Sequence, residues 1–132
     1  MKNQNVIPKT SLVNQHKEYQ QQTRSIEFMR DELRILNERL DEVSTRNNGR
    51  EFLQWTESYQ NKFIVLRENL DTLNHELGLA INKLEAEVKS APTHVNEATH
   101  TQDEKMRLDV EQQEKSFHEL KSVFNRFVSK HM

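Results

Sequence analysis

The chain has 132 residues, of which 33% are apolar and 30% are charged, and its net charge is -2. This near-neutral balance gives no strong attraction to nucleic acid or to anionic lipid. Two glycines and two prolines are too few for the turns of a many-stranded β fold. The absence of cysteine excludes a disulfide scaffold, a thiolate zinc site and a cysteine nucleophile.

The apolar residues are spread along the chain in short groups. No stretch approaches the roughly 18 consecutive apolar residues that a membrane-spanning helix requires. The sole apolar pair in the first ten residues is Val6-Ile7, whereas a signal peptide needs an apolar run of at least about seven residues. We therefore expect no membrane insertion and a cytoplasmic protein.

A first helix is predicted over about residues 11–46, after a flexible tail at residues 1–10. Its apolar residues mostly follow the alternating three- and four-residue steps of heptad a and d positions, which we call the seam. Gln15 and Gln22 interrupt this pattern. The sequence Asn47-Asn48-Gly49 then predicts a left-handed helix cap. The seam of the first helix comprises Leu12, Tyr19, Ile26, Met29, Leu33, Leu36, Leu40 and Val43.

A second helix is predicted over about residues 50–90. The connection to it is very short, which makes the two helices antiparallel neighbours. Gly78 lies inside this helix, at a cost of about 1 kcal/mol relative to alanine, and marks either a close helix contact or a weak point. The seam comprises Phe52, Trp55, Tyr59, Phe63, Leu66, Leu70, Leu73, Leu77, Ala80, Leu84 and Val88.

A third helix is predicted over about residues 102–130. Pro92 ends the second helix, and residues 91–101 show no helical periodicity, so we expect a loop there. Thr101 or Asp103 is the predicted cap of the third helix. Its seam comprises Met106, Val110, Gln113, Phe117, Leu120, Phe124 and Phe127.

These elements predict an all-α, elongated, antiparallel three-helix bundle (up-down-up) with coiled-coil packing and a single domain over residues 11–130. The helix directions bring nearly all the aromatic residues to one end, so we expect a stable aromatic end and a softer polar end. The overall form is similar to that of spectrin-type repeats. Those repeats have their hallmark tryptophan in the first helix, whereas Trp55 opens the second, so no motif of that family carries over.

Some apolar residues lie outside the seams, and four of them fall at heptad position c: Phe28, Ile35, Val65 and Leu79. One interpretation is that they widen the core-facing stripe, because each helix of a three-helix bundle contacts two neighbours. The other is that they form a strip for self-association or for a partner, since exposed apolar patches usually mark interfaces. The sequence leaves both open.

Histidines and acids give a candidate metal site. Asp71 and His75 are four residues apart on the second helix, and Glu114 and His118 are four apart on the third. Hemerythrin- and ferritin-like bundles bind metals through inward-facing histidines and carboxylates, typically with Glu-x-x-His on two helices. Only Glu97–His100 has that spacing, and it falls in the predicted loop. We therefore expect no metal and no cofactor, with a metal-binding bundle as an alternative function.

No catalytic motif is present: the sequence has no glycine-rich phosphate loop, nucleophile elbow or His-Glu-x-x-His. We expect a protein that is not an enzyme and has no small-molecule substrate. The arginines of the first helix alternate with acids, which favours ion pairing over a phosphate-binding stripe. RNA or ribosome binding remains a second alternative. The hypothesis we favour is a protein–protein interaction or scaffold protein that acts through amphipathic helix faces, with self-association as one form of it.

Overall fold

The computed structural model describes the backbone of residues 6–90 and 94–131 and the side chains of residues 12–89 and 102–131. Three helices account for nearly all of it: α1 spans Lys9–Arg46, α2 spans Arg50–Ser90 and α3 spans Glu97–His131. Two three-residue strands, β1 (Val6–Pro8) and β2 (His94–Asn96), precede α1 and α3.

The helices pack against one another as an all-α three-helix bundle, which confirms the predicted fold class. The residues of the predicted seams are buried with few exceptions because their spacing keeps them on one side of each helix. None of the described helical stretches carries an apolar run of the length that a bilayer crossing needs.

The chain divides into two compact units. Unit 1 comprises Met1–Ile26 and Thr72–Glu111, and unit 2 comprises Glu27–Asp71 and Gln112–Met132. Each unit therefore contains a segment of every helix. The described part of each unit has its own buried core.

Unit 2 has an aromatic core. The rings of Phe52 and Phe127 are stacked with their centroids 5.3 Å apart, and Phe124 makes edge contacts with Tyr59 and Phe63, each at 5.2 Å. These contacts join α2 to α3 in opposite chain directions, as antiparallel neighbours require. The predicted gathering of the aromatic residues of the second and third helices is thus found within unit 2.

Unit 1 has a core of aliphatic residues with one aromatic side chain, Tyr19. Among the described residues of unit 1, two polar side chains are also buried, Gln22 of α1 and Asp103 of α3. The carbonyl oxygen of Gln22 and Oδ1 of Asp103 have no hydrogen-bond partner. Buried polar atoms without partners are costly, so these two side chains reduce the stability that this core provides.

Trp55 was predicted in the core, and this prediction is wrong: the side chain is 47% exposed. Thr56 is buried in its place, because its hydroxyl has partners in the helix interface. It donates to the carbonyl oxygen of Phe52 at 3.1 Å and lies 3.0 Å from Oγ of Ser44 in α1. A satisfied threonine can occupy an interior position that the hydrophobic pattern assigned to its larger neighbour.

The connection between α1 and α2 also differs from the prediction. None of the described residues has a positive φ, so there is no left-handed cap at residues 47–49. The side chain of Asn47 caps α1 instead: Nδ2 donates to the carbonyl oxygen of Val43 at 2.9 Å and to that of His131 at 3.3 Å. The carbonyl oxygen of Gly49 accepts from the amide of Leu53 at 3.0 Å and so begins the hydrogen bonding of α2.

The predicted loop is wrong for residues 94–101, and so is the predicted start of the third helix near residue 102. Residues 94–96 form β2, which pairs antiparallel with β1 in the register Ile7↔Val95, and α3 begins at Glu97. Asn96 is a favoured residue immediately before a helix, which explains the early start without apolar periodicity. Thr101 and Asp103 are therefore inside α3 and do not cap it. Within the predicted tail of residues 1–10, the structure has β1 and the first two residues of α1. Residues 1–5 and 91–93 lie outside the described residues.

Candidate interaction surfaces

The four interface candidates at heptad position c are all exposed. The exposed fraction is 57% for Phe28, 45% for Ile35, 57% for Val65 and 56% for Leu79. These values exclude the interpretation in which the four residues widen the core stripe of a single chain. The interpretation that they form an interface remains, and the positions of the residues determine which surfaces are involved.

Phe28 and Ile35 share the outward face of α1 in unit 2. They are seven residues apart, which is two helical turns or about 10.5 Å. Glu32 lies between them in sequence and pairs with Lys121 of α3, so the side of α1 next to this face is held against α3. We refer to Phe28 and Ile35 together as the α1 row.

Val65 lies in a groove between α2 and α3 of unit 2, with a volume of about 580 Å³. Leu66, Leu120 and Val123 complete its apolar floor. Lys62 on the α2 side and Glu119 on the α3 side give the rim charges of opposite sign. The remaining lining residues carry amide or hydroxyl groups: Asn61, Asn69, Gln112, Gln113 and Ser116. We refer to this feature as the α2/α3 groove.

Sequence reasoning missed several other exposed apolar residues. Val123 is the one that matters for the groove, and it immediately precedes the seam residue Phe124. Val123 and Leu108 both lie outside the seam of the third helix, so their heptad positions were the signal that could have identified them. Among the described side chains, the exposed large apolar residues that were not predicted as interface candidates are Val13, Leu53, Trp55, Ile64, Leu108 and Val123.

Unit 1 has a separate groove of about 490 Å³ between the start of α1 and the end of α2. Its apolar floor includes the exposed Val13 beside the buried Leu12 and Leu84. His16 and Glu85 close one side, with Nε2 3.2 Å from the carboxylate oxygen. Leu79, the interface candidate of this unit, does not line this groove.

The candidate metal ligands do not form a site. Oδ1 of Asp71 is bound to Nε of Arg30 at 2.9 Å, and the ring of His118 packs edge-on against Phe117 at 5.4 Å. His75 is exposed, and Glu114 is half-buried. Among the side chains that the structure describes, no three histidines or acids come together in a way that could hold a metal ion.

The arginines of α1 in unit 2 are mixed with acids, as the sequence suggested. Arg30 pairs with Asp71, and Nη1 of Arg34 lies 3.0 Å from the carboxylate of Glu38. A shallow depression beside them combines three arginines with two acids: Glu27, Arg30, Asp31, Arg34 and Arg67. This alternation of sign differs from the concentrated basic face that phosphate binding normally needs.

A polar cluster lies between α1 and α3 in unit 1. Arg107 binds the carboxylate of Glu18, which also accepts from Nε2 of Gln22 at 3.3 Å. The neighbouring Asp103 is 3% exposed, and its pKa is raised to about 7. Burial is the main cause, the negative charge of Glu18 adds to it, and the positive charge of Arg107 opposes it.

Two features of this chain could serve an interaction in unit 2, namely the α1 row and the α2/α3 groove. Comparison with known proteins adds no further assignment. No protein-family model, curated protein or solved structure matches the chain.

Proposed function

We propose that this chain is a non-catalytic, cytoplasmic protein–protein interaction protein that works through exposed apolar residues on its helix faces. The α2/α3 groove is the observation that supports the proposal most. Val65 and Val123 are separated by more than fifty residues in the sequence but line one apolar floor with a polar rim. Single exposed apolar residues are common on proteins, whereas a shared apolar depression with a polar rim is typical of interaction sites.

The α1 row supports the same proposal from a second face. Exposing phenylalanine and isoleucine brings no benefit to the folding of a single chain, since these side chains gain free energy only when buried. Their positions two turns apart are those by which an amphipathic helix contacts a groove. The polar and charged residues around the row resemble the rim of an interface core.

The test is affinity capture from cells that produce this protein, with the partners identified by mass spectrometry. Wild type is compared with Val65→Ser/Val123→Ser, which alters the groove, and with Ile64→Ser, which alters the exposed neighbour of Val65 outside the groove. We expect at least one protein, a second copy of the chain included, to be captured by wild type and Ile64→Ser and lost with the groove variant. Thermal unfolding of all three proteins checks that each remains folded.

The proposal fails if every captured protein is retained equally by the groove variant and by a Phe28→Ser/Ile35→Ser variant. Stoichiometric metal in the purified wild type would also count against it and would favour a metal-binding bundle. The comparison uses the whole chain throughout, because each unit is built from segments of all three helices.

A further inference from the structure

The α2/α3 groove has the shape and chemistry of a helix-binding site. Its apolar floor draws two residues from each helix, and its rim is charged on both sides. An amphipathic helix packs in such a groove through apolar residues one or two turns apart. The occupant should therefore present a short apolar row between flanks of complementary charge.

The α1 row meets this description. Viewed down the helix axis, heptad position c lies between positions f and g. Residues at f therefore flank the α1 row on one side, and residues at g flank it on the other. Asp31 and Glu38 are at f, and Glu32 and Arg39 are at g. The f flank is thus acidic, whereas the g flank has one charge of each sign, and its acid, Glu32, is already paired with Lys121 of α3.

Two of these charges are opposite in sign to those of the groove rim. With α1 laid along the groove and its f flank toward α2, Glu38 would lie on the side of Lys62 and Arg39 on the side of Glu119. Glu38 is free to exchange partners, because its pair with Arg34 is exposed and such pairs are weak.

We propose that the α1 row of one copy docks into the α2/α3 groove of a second copy and adds a fourth helix to unit 2. This inference rests on the proposed function and names its partner. The row cannot fill the groove of its own chain, because α1 already packs on the core through its seam and the row faces outward. Each contact therefore joins two different surfaces, and a pair of chains joined by one such contact retains one unused row and one unused groove.

The experiment measures self-association by sedimentation velocity over a range of protein concentrations. We expect wild type to associate with increasing concentration beyond a dimer, or to close into a ring. Phe28→Ser/Ile35→Ser removes the row, and Val65→Ser/Val123→Ser removes the groove floor. Each variant should raise the Kd for self-association by roughly tenfold to a hundredfold.

Mixing the two variants provides the sharpest result. The row variant still has a groove and the groove variant still has a row, so together they should form a heterodimer that grows no further. Ile64→Ser is the matched control, since Ile64 and Val65 are adjacent β-branched residues with exposed fractions of 53% and 57%. It should associate like wild type. Arg39→Glu should weaken association, and adding Glu119→Lys to it should restore association.

Three results would overturn the inference. Wild type could remain monomeric at all concentrations, the two variants could associate as well as wild type, or their mixture could fail to form the heterodimer. In each case the proposed function is judged separately by the capture experiment, because a different partner for the groove would still be lost with Val65→Ser/Val123→Ser.

Discussion

Arg107 of α3 binds the carboxylate of Glu18 of α1 through two nitrogen atoms: Nε lies 2.7 Å from Oε1, and Nη2 lies 3.3 Å from Oε2. The positive charge of Arg107 is therefore shared between this pair and the buried Asp103 close by. Because the burial of Asp103 and the negative charge of Glu18 outweigh Arg107, the pKa of Asp103 is raised to about 7. The side chain of Asp103 is therefore expected to change its charge close to neutral pH.

The contribution of Asp103 to stability should fall as pH rises through the acid range and into neutrality. In the unfolded chain an aspartate has its ordinary pKa of about 3.9. Between this value and about 7 the folded chain binds more protons than the unfolded chain, so the contribution of Asp103 to stability is complete below about pH 4 and lost by about pH 7. The loss should be on the order of 3–4 kcal/mol, since a tenfold change in acidity corresponds to about 1.4 kcal/mol. Urea unfolding at a series of pH values measures it.

Asp103→Asn isolates this effect, because asparagine keeps the shape of the side chain without the titration. The variant should equal wild type near pH 4 and exceed it in unfolding free energy at pH 8. Asp41→Asn, at an exposed position, serves as the control for replacing a carboxylate on the surface. Parallel pH curves for wild type and Asp103→Asn would show that the buried acid has no such role.

Gly78 should be replaceable with a gain in stability. It lies in the interior of α2, and a Cβ atom built there meets no atom within 4 Å. This open space excludes the close helix contact suggested by the sequence, so Gly78→Ala should raise the unfolding free energy by about 1 kcal/mol. Gly49 also has open space, but its carbonyl begins the hydrogen bonding of α2, where alanine is a poor residue. Gly49→Ala should therefore be destabilising, and thermal unfolding of the two variants should show opposite shifts.

Heptad spacing predicted the three helices and most of the core, because burial in a helical bundle depends mainly on position around the helix. The exceptions arise from contacts that spacing does not encode. Thr56 is buried because Ser44, on another helix, lies beside its hydroxyl. Asn47 caps α1 through its side chain, which also reaches the carbonyl oxygen of His131 at the end of α3.

The interface candidates were predicted from the same spacing, but their environment was not. Their heptad position is enough to show that Phe28 and Ile35 lie outside the seam. Whether another helix covers that position depends on how many helices pack against α1, which the spacing does not encode. The groove required two residues distant in sequence, Val65 and Val123, to meet across two helices. Pairing of this kind depends on the relative axial alignment of α2 and α3, which a single sequence does not specify.

Phe127 and Trp55 should contribute very differently to stability, although both were predicted in the core. Phe127 is buried, with its ring centroid 5.3 Å from that of Phe52 and 4.9 Å from that of Tyr59. Phe127→Ala should lower the unfolding free energy by about 3–5 kcal/mol, as cavity-forming substitutions of buried aromatics do. Trp55→Ala should cost about 1–2 kcal/mol, because only part of the indole is covered. Urea unfolding measures both, and equal losses would indicate that Trp55 is buried in solution.

Amide hydrogen exchange should distinguish the two units. Leu36 lies in unit 2, whose core is aromatic, whereas Leu84 lies in unit 1, whose core contains Gln22 and Asp103 with unpartnered polar atoms. Because exchange from a core amide reports the free energy of opening, the Leu36 amide should exchange at least about tenfold more slowly than the Leu84 amide. Asp103→Asn at pH 8 should slow exchange at Leu84 and leave Leu36 less affected. Equal protection of the two amides in wild type would contradict the expected difference between the aromatic and the polar core.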